Sequence, residues 1–220
     1  MIINLILASN SPRRQELLSL GGQRYRILPA DVDETPRTGE TPRDYVTRLA
    51  KEKAQVAAGL IGGKQVLILA ADTTVVFQER ILGKPADADE ARKMLKELRG
   101  KVHLVYTAIA LLRLPDRALM TDFAETEVPM RNYTNAEIED YIASGDPLDK
   151  AGAYAIQHAG FHPVASMQGC FANVIGLPLC HLQRTLRKWG QSLDQDLSTA
   201  CQAHLSYPCP VTSQILNWLI

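Results

Sequence analysis

The stretch Val66–Pro85, VLILAADTTVVFQERILGKP, places an acid, two hydroxyls and a lysine beside an apolar segment. Val66–Ala71 is an unbroken run of six apolar residues, which predicts a strand buried on both faces. Asp72 follows directly, and a carboxylate at the end of a buried strand needs a hydrogen bond, a cation or water. Ligands of open α/β sheets also bind at the carboxyl ends of strands. The stretch therefore predicts a site around Asp72, although an acid that merely ends a strand explains it equally well.

The second half of this stretch predicts a turn and a lysine near the acid. Gln78–Arg80 is typical of a hairpin turn, and Thr73 adds a hydroxyl beside Asp72. Lys84 precedes a proline, which favours an extended backbone at the lysine. Gly83 predicts a close approach of another backbone segment. A lysine in solvent is the simpler interpretation of Lys84.

Length and composition indicate a single globular domain. The chain has 220 residues, of which 46% are hydrophobic, enough for a sizeable core. Its 24 basic and 24 acidic residues give a formal charge of zero, which argues against a general attraction to nucleic acid or membranes. No apolar run approaches the ~18 residues of a membrane span, and the N-terminal residues lack the basic leader of a signal peptide. We expect a soluble, cytoplasmic protein.

The cysteines give no sign of a metal site or a disulfide scaffold. Cys170, Cys180, Cys201 and Cys209 have no CxxC spacing and no paired histidines nearby, which argues against structural zinc. Disulfide scaffolds are typical of smaller secreted chains, so reduced thiols fit better here. We expect the cysteines to take no part in the chemistry.

A helix that begins after Ser9-Asn10 forms a potential anion site. Ile2–Leu7 predicts a buried strand, Ser11 is a good N-cap and Pro12 a good first helical residue. Free backbone N–H groups, serine hydroxyls and the helix dipole favour negative charge there. Arg13 and Arg14 oppose the dipole unless an anion lies between them. The alternative is an ordinary capped helix with solvated arginines.

Further charged residues fall in the next segments. Residues 31–34, DVDE, carry three carboxylates, which indicates either a solvated acidic loop or oxygen ligands for a hard divalent ion. The following helix has a predicted apolar face of Val46, Leu49, Ala50, Ala57 and Leu60. Lys53 lies on this same face. Its ammonium either extends to the helix edge or points into a cleft beside Asp72.

The remaining chain predicts alternating helices and strands. Capping patterns mark three helix starts, at Thr41 with Asp44, Asp87 with Glu90, and Thr134 with Glu137. Lys101–Leu112 and Ala118–Met130 predict an antiparallel strand pair. Asp146–Gln157 is rich in small residues and lacks a clear period, which suits a binding loop. The amide of Gln157 offers both a donor and an acceptor for a base edge.

Several of these signals occur in one order along the chain: SNSPRR (9–14), DVDE (31–34), RLAKEKA (48–54), AADTTVV (70–76), GKP (83–85), GKVHLVYT (100–107), DKAGAYAIQ (149–157) and GLPL (176–179). Together they closely resemble the Maf family of nucleoside triphosphate pyrophosphatases, over about residues 3–188. The resemblance implies an α/β fold with a mixed, twisted sheet, flanking helices and two lobes around a central cleft, as in inosine triphosphatase-type enzymes. It assigns residues 1–189 to a Maf-like domain and leaves residues 190–220 as a C-terminal extension of unknown role.

Within the family, the DKAGAY…Q loop and the two arginines after Ser-Pro resemble the branch that acts on dTTP and UTP. The implied reaction is metal-assisted attack of water on the α-phosphate, with release of pyrophosphate. The implied catalytic residues, carried over by position, are Asp72, Lys53, Lys84 and Glu34. The implied substrate-binding residues are Ser9, Ser11, Arg13, Arg14, Thr73 and Gln157.

The resemblance also implies a divalent cation, Mg²⁺ or Mn²⁺, held by Asp72 and Glu34. Asp72 can serve as the base for water or as a metal ligand, and the sequence does not choose between these roles. The expected partner is a nucleoside triphosphate, without nucleic acid or membrane, and a homodimer is left open.

Two other functions are consistent with the same residues. One is a 7-methyl-GTP-type pyrophosphatase of the same family, and the other is a nucleotide-binding regulator of cell division without catalysis. More remotely, the charged groups would form structural ion pairs in a sugar-phosphate binding protein.

Overall fold

A six-stranded mixed sheet forms the centre of the molecule. The computed structural model describes residues 4–61 and 65–217, so Ile2 and Ile3 of the first predicted strand lie outside it. The strands are β1 (Leu5–Leu7), β2 (Tyr25–Ile27), β3 (Val66–Phe77), β4 (Arg80–Leu82), β5 (Val102–Leu114) and β6 (Ala118–Pro129). Their order is β2-β1-β3-β5-β6, with β4 also paired to β3. β1 runs parallel to β2 and β3, and the other pairs are antiparallel. The predicted α/β fold with a mixed sheet is confirmed.

The helices of the described chain are α1 (Pro12–Ser19), α2 (Pro42–Gly59), α3 (Ala88–Leu98), α4 (Asn135–Ala143), α5 (Phe171–Ile175), α6 (Leu179–Lys188), α7 (Leu197–Leu205) and α8 (Thr212–Leu216). Two short 3₁₀ turns, Asp146–Asp149 and Ala151–Ala153, lie between α4 and α5. The N-caps of the first four helices all accept a backbone N–H as predicted: Ser11, Thr41, Asp87 and Thr134. Only Thr134 completes the reciprocal capping box. None of the described helices is long and apolar enough to cross a membrane.

β3 is longer than the apolar run that predicts it. The strand continues through Asp72 to Phe77, so the prediction that Asp72 ends a strand is wrong. Residues 73–77 are β-branched or aromatic, and β5 pairs with β3 from Val66 as far as Val76. The β3–β4 hairpin then turns at Gln78 and Glu79, which both adopt positive φ as a two-residue hairpin turn requires.

The other edge of β3 is interrupted beside Asp72. β1 pairs with β3 only as far as Leu69, and β4 pairs with it only from Val75 onward. After Leu7 the chain leaves the sheet, with Ala8 N still donating to Leu69 O at 2.8 Å. Asp72 therefore lies mid-strand but at the carboxyl end of its parallel neighbour β1. The sheet opens at this point, as at the strand ends of other α/β folds.

The two faces of β3 pack against different helices. Ile68 and Ala70 face a core cluster that includes the buried side of α2, whereas Leu69 and Ala71 face a cluster with residues of α1, α5 and α6. The predicted buried side of α2 is confirmed except at Leu60, which is 64% exposed. Leu60 caps the helix C-terminus, where the chain turns away from the sheet.

A third core cluster joins the other half of β3 and β5 to α3 and α4. The segment after Trp189 also contributes to the core. Leu197 and Cys201 of α7 are buried in the cluster on the α6 side of the sheet. Arg184 of α6 donates to the carbonyl of Ile215 in α8 at 3.3 Å.

Candidate active site

An open cleft of about 750 Å³ lies where the edge of β3 is interrupted. Every residue that the sequence singles out as catalytic or substrate-binding lines it: Ser9, Ser11, Arg13, Arg14, Glu34, Lys53, Asp72, Thr73, Lys84 and Gln157. These residues come from six separate parts of the chain, so the fold brings together groups that are distant in sequence. The cleft is therefore the candidate active site.

Lys53 links two carboxylates at one side of the cleft. Its Nζ donates to Asp72 Oδ1 and to Glu34 Oε1, both at 2.6 Å. Asp72 is 6% exposed, whereas the Glu34 side chain is 55% exposed. Lys53 reaches this position because it lies on the face of α2 that packs on the sheet, as predicted. Its ammonium points into the cleft and not to the helix edge.

The protein environment shifts the pKa of the two carboxylates in opposite directions. Burial raises the pKa of Asp72 above its usual value, against the opposing charges of Lys53 and Arg14. Burial would also raise the pKa of Glu34, but the hydrogen bond and the charge of Lys53 outweigh it and lower that pKa. Asp72 therefore takes up a proton more readily than an ordinary aspartate, and Glu34 less readily than an ordinary glutamate.

Thr73 points to the opposite face of β3, where it contacts Arg14. Arg14 Nη2 donates to Thr73 Oγ1 at 3.1 Å, and Arg14 Nε donates to the carbonyl of Gly176 at 2.9 Å. Thr73 Oγ1 is also 2.9 Å from Thr107 Oγ1 on β5, its partner in the strand register. The Thr73 hydroxyl thus already has two partners, so its contribution to the cleft is to fix the Arg14 guanidinium.

Asn173 connects this polar network to β5 and β6 through hydrogen bonds. Its side-chain amide donates to Val105 O at 3.0 Å and to Thr126 Oγ1 at 2.9 Å. Its backbone carbonyl accepts from the Thr107 hydroxyl at 3.0 Å. The residue is fully buried. Sequence reasoning misses Asn173 because an asparagine within an apolar stretch gives no signal of the contacts it makes across the sheet.

Gly176 allows the close approach of Arg14. Its backbone has a φ of +120°, which side chains rarely allow. A Cβ on this residue would lie 3.2 Å from Thr73 Oγ1 and 3.5 Å from Arg14 Nε. A side chain would therefore be strained and would crowd the guanidinium. At Gly83 the backbone of Gly152 approaches as predicted, with Gly152 N 3.0 Å from Gly83 O, but a Cβ on Gly83 would meet nothing within 4 Å, so this approach does not require a glycine.

The serines before α1 are engaged in local hydrogen bonds. Ser11 Oγ accepts from Arg14 N at 3.4 Å as the helix cap. Ser9 Oγ accepts from Ser11 N at 3.1 Å and from Arg14 Nη1 at 3.4 Å. Together with Arg13 they place a helix N-terminus and two guanidinium groups on one wall of the cleft. This combination favours an anionic ligand.

The loop after α4 forms the opposite wall. Gly152 N donates to Gly83 O at 3.0 Å, which holds the loop against the segment that carries Lys84. Lys150 also lines the cleft, although its ammonium is held by Asp146 and Asp149 within the loop. The sequence interpretation does not single out Lys150. Gln157 lies at the exposed end of this wall.

Tyr154 connects this wall to the core through His103. Their side chains meet at 2.8 Å between Tyr154 Oη and His103 Nε2. Burial lowers the pKa of His103 to about 4, so the imidazole is neutral at ordinary pH. His103 is thus a hydrogen-bonded structural histidine.

Asp72 and Glu34 fit a cation that binds substrate as well as protein. Each uses one oxygen for Lys53, which leaves the second oxygen for a metal. Within residues 4–61 and 65–217, no group of three or more His, Cys, Asp and Glu side chains could hold a metal ion. Two carboxylates suit Mg²⁺ or Mn²⁺, because such ions often bind through one or two carboxylates and substrate phosphates.

Comparisons with known proteins cover most of the chain. The model of the Maf-like protein family matches residues 4–189. A dTTP/UTP pyrophosphatase of Geobacter sp. (strain M21) is 44% identical over 187 residues, 85% of this chain and 96% of the relative. Proteins of the same name from Anaeromyxobacter dehalogenans and Myxococcus xanthus are each 47% identical, covering 86% of this chain and 96% and 94% of the relatives. The match extends across all the residues that line the cleft, and the chain belongs to the Maf family.

Proposed function

We propose that this protein is a nucleoside triphosphate pyrophosphatase that hydrolyses dTTP and UTP to the monophosphate and pyrophosphate. The observation that carries the proposal is the lysine-bridged carboxylate pair beside the Arg13 and Arg14 wall. A buried acid and a set of cations around one open cleft suit a polyanionic substrate that is attacked by water. The names of the relatives supply the nucleotide class.

The positively charged groups of the cleft would bind different phosphate oxygens of the triphosphate. Arg13, Arg14 and the α1 N-terminus would hold phosphate oxygens on one wall, and Lys84 would approach from the other. These charges stabilise the negative charge that develops on the equatorial and leaving oxygens. Because Arg14 is fixed by Thr73 and Gly176 before any ligand binds, it needs little reorganisation.

Asp72 is the residue we assign to water activation. Its carboxylate is buried at the centre of the cleft, and its raised pKa makes it a better proton acceptor than an ordinary aspartate. Lys53 keeps it ionised and oriented. A divalent cation held by Asp72 and Glu34 would neutralise phosphate charge and lower the pKa of a bound water.

Gln157 and the exposed end of the loop are proposed to contact the base. A neutral amide suits the carbonyl and N–H edge that thymine and uracil share. A 7-methylguanine base carries positive charge, which Arg13 in the same cleft would repel. We place the protein in the cytoplasm, where nucleoside triphosphate pools are found.

The test is a panel of nucleoside triphosphates assayed for pyrophosphate release with Mg²⁺ or Mn²⁺. We expect dTTP and UTP to give the highest kcat/KM, with 7-methyl-GTP a poor substrate. A clear preference for 7-methyl-GTP would reject the assigned substrate but not the reaction. If no nucleotide released pyrophosphate while dTTP still bound, a nucleotide-binding regulator would replace the enzyme.

A further inference from the structure

All four cysteines of the chain meet around one small cavity between α5, α6 and the C-terminal segment. They are free thiols: Cys170, Cys180 and Cys201 are buried, and Cys209 is partly exposed. Cys209 lies beyond residues 4–189, which the family model covers. The cluster is thus formed where the C-terminal extension packs on the body of the protein.

Cys209 is held against the turn that contains Cys170. Its Sγ lies 4.0 Å from the carbonyl oxygen of Gly169, the residue just before Cys170. Tyr207 fixes the same turn, because its hydroxyl donates to the carbonyls of Met167 and Gly169 at 3.1 and 3.0 Å. Cys170 and Cys209 also line the same small cavity. The Cys209 thiol therefore lies beside the backbone that carries Cys170.

The four thiols differ in reactivity. The hydrogen bond from Cys170 lowers the pKa of Cys209 to about 6, and the Thr212 side chain adds to the effect. That same hydrogen bond and burial raise the pKa of Cys170. Burial raises the pKa of Cys180 to about 11 and that of Cys201 to about 12. Cys209 is thus the accessible thiolate near neutral pH, and the thiolate is the reactive form of cysteine.

We propose that Cys170 and Cys209 form a reversible disulfide bond that fastens residues 206–217 to the turn before α5. The oxidant is a small-molecule disulfide such as oxidised glutathione. The Cys209 thiolate attacks one of its sulfurs, so that a mixed disulfide forms and one glutathione thiolate leaves and takes up a proton. Cys170 then loses its proton and attacks Cys209 Sγ, which releases the second glutathione. Two thiols and one small disulfide thus become one protein disulfide and two small thiols.

The primary experiment counts thiols in the full chain after incubation with oxidised glutathione. Denatured protein should show two free thiols in place of four, and peptide mapping should join Cys170 to Cys209. Four remaining thiols, or a link between Cys180 and Cys201, would overturn the proposal.

Three variants separate the roles of the two cysteines. C170S should stop at a glutathione adduct on Cys209, because the second thiol is missing. C209S should keep its three thiols, whereas the matched control C201S should still form the bond. A C170S protein without the adduct, or a C209S protein that loses thiols, would contradict the assignment. Circular dichroism of each reduced variant checks that it is folded.

Thermal unfolding tests the fastening itself. A disulfide across about 40 residues restricts the unfolded chain, so the oxidised protein should melt roughly 5 °C or more above the reduced one. Dithiothreitol should reverse the shift. A bond that forms without raising Tm would show that it does not fasten the segment.

Discussion

Lys53 donates hydrogen bonds to Asp72 and Glu34 at the same time, so one ammonium affects the charge of both carboxylates. The pair is asymmetric, because Asp72 is buried and Glu34 is half-exposed. Burial opposes ionisation of Asp72, whereas Lys53 favours it. The charge state of the cleft therefore depends on a balance that single substitutions can shift.

Asp72→Asn should lower kcat by about 10²-fold or more, the scale expected for loss of a general base or metal ligand. Asparagine keeps the shape of the side chain, so circular dichroism and nucleotide binding should change little. Asp33→Asn is the matched control, since Asp33 is an exposed carboxylate on the same cleft. It should retain most of the activity. Near wild-type turnover of Asp72→Asn would remove Asp72 from the mechanism.

The pH dependence of kcat/KM should report Asp72. Activity requires the ionised carboxylate, and its pKa is raised above the ordinary 3.8. Activity should therefore fall on acidification at a pH above 3.8, whereas Glu34, whose pKa is lowered, should become protonated below the usual 4.5. Lys53→Met should move this acid limb to higher pH, because the neighbouring positive charge is lost. A profile that stays flat down to about pH 4 in folded protein would contradict the assignment.

Gln157→Ala should reduce kcat/KM for UTP by a factor that corresponds to the free energy of one hydrogen bond. Gln157 is exposed before substrate binds, so we expect a net loss of about 0.5–1.5 kcal/mol. The structure should remain intact. Gln55→Ala, on the exposed side of α2, controls for loss of a surface amide. Equal kcat/KM values for the two variants would place the base elsewhere in the cleft.

At the level of elements, α5 is the short helix that connects the sheet to the Arg14 wall. Asn173 makes this connection through hydrogen bonds to Val105 and Thr126 on two neighbouring strands. Gly176 directly follows the helix and accepts from Arg14. The position of the guanidinium is thus set by a buried amide in a different element.

Asn173→Ala should lower the free energy of unfolding by about 1–3 kcal/mol, because Val105 O and Thr126 Oγ1 lose a buried partner. Asn173→Asp should lower the free energy of unfolding further, because it buries a negative charge and none of the contacts described for this residue is with a cation. Urea unfolding measures both values, and Thr126→Val combined with each variant tests the coupling. An Asn173→Ala variant with an unchanged free energy of unfolding would show that the network is not needed for stability.

The sequence predicts single elements better than their pairing. Helix starts follow from local capping, so Ser11, Thr41, Asp87 and Thr134 are all identified correctly. The full length of β3 is missed, because a polar residue within a strand looks like its end. The gap between β1 and β4 depends on which strands pair, and pairing is decided by contacts far apart in sequence.

For the whole molecule, the residues of the cleft are found from the order and spacing of motifs more than from their individual chemistry. Lys53 facing Asp72 is the exception, since helical periodicity alone places it on the inner face of α2. The network of Thr107 and Asn173 is missed, because buried polar contacts leave no periodic pattern. Core burial of the extension is also missed, since α7 and α8 are short and their sequences do not indicate which surface they cover.

Deletion of residues 191–220 should reduce stability more than catalysis. Leu197 and Ile215 are buried against the body of the protein, and two such side chains contribute about 3–6 kcal/mol. Leu193 also packs on Gly21 beside α1. We expect a clearly lower Tm, whereas kcat of the folded fraction stays within a few-fold, because no cleft residue lies in the segment. A truncated protein with normal Tm but no turnover would show that the extension completes the site.

The alternation of β3 has a consequence for how this sequence tolerates changes in length. Asp72 and Thr73 are consecutive, and the strand turns one toward Lys53 and the other toward Arg14. One residue inserted or deleted between Val66 and Ala71 would move Asp72 to the opposite face of the strand, away from Lys53. Two residues would keep Asp72 on its face but shift it about 7 Å along the strand, so the site fixes the length of β3 before Asp72.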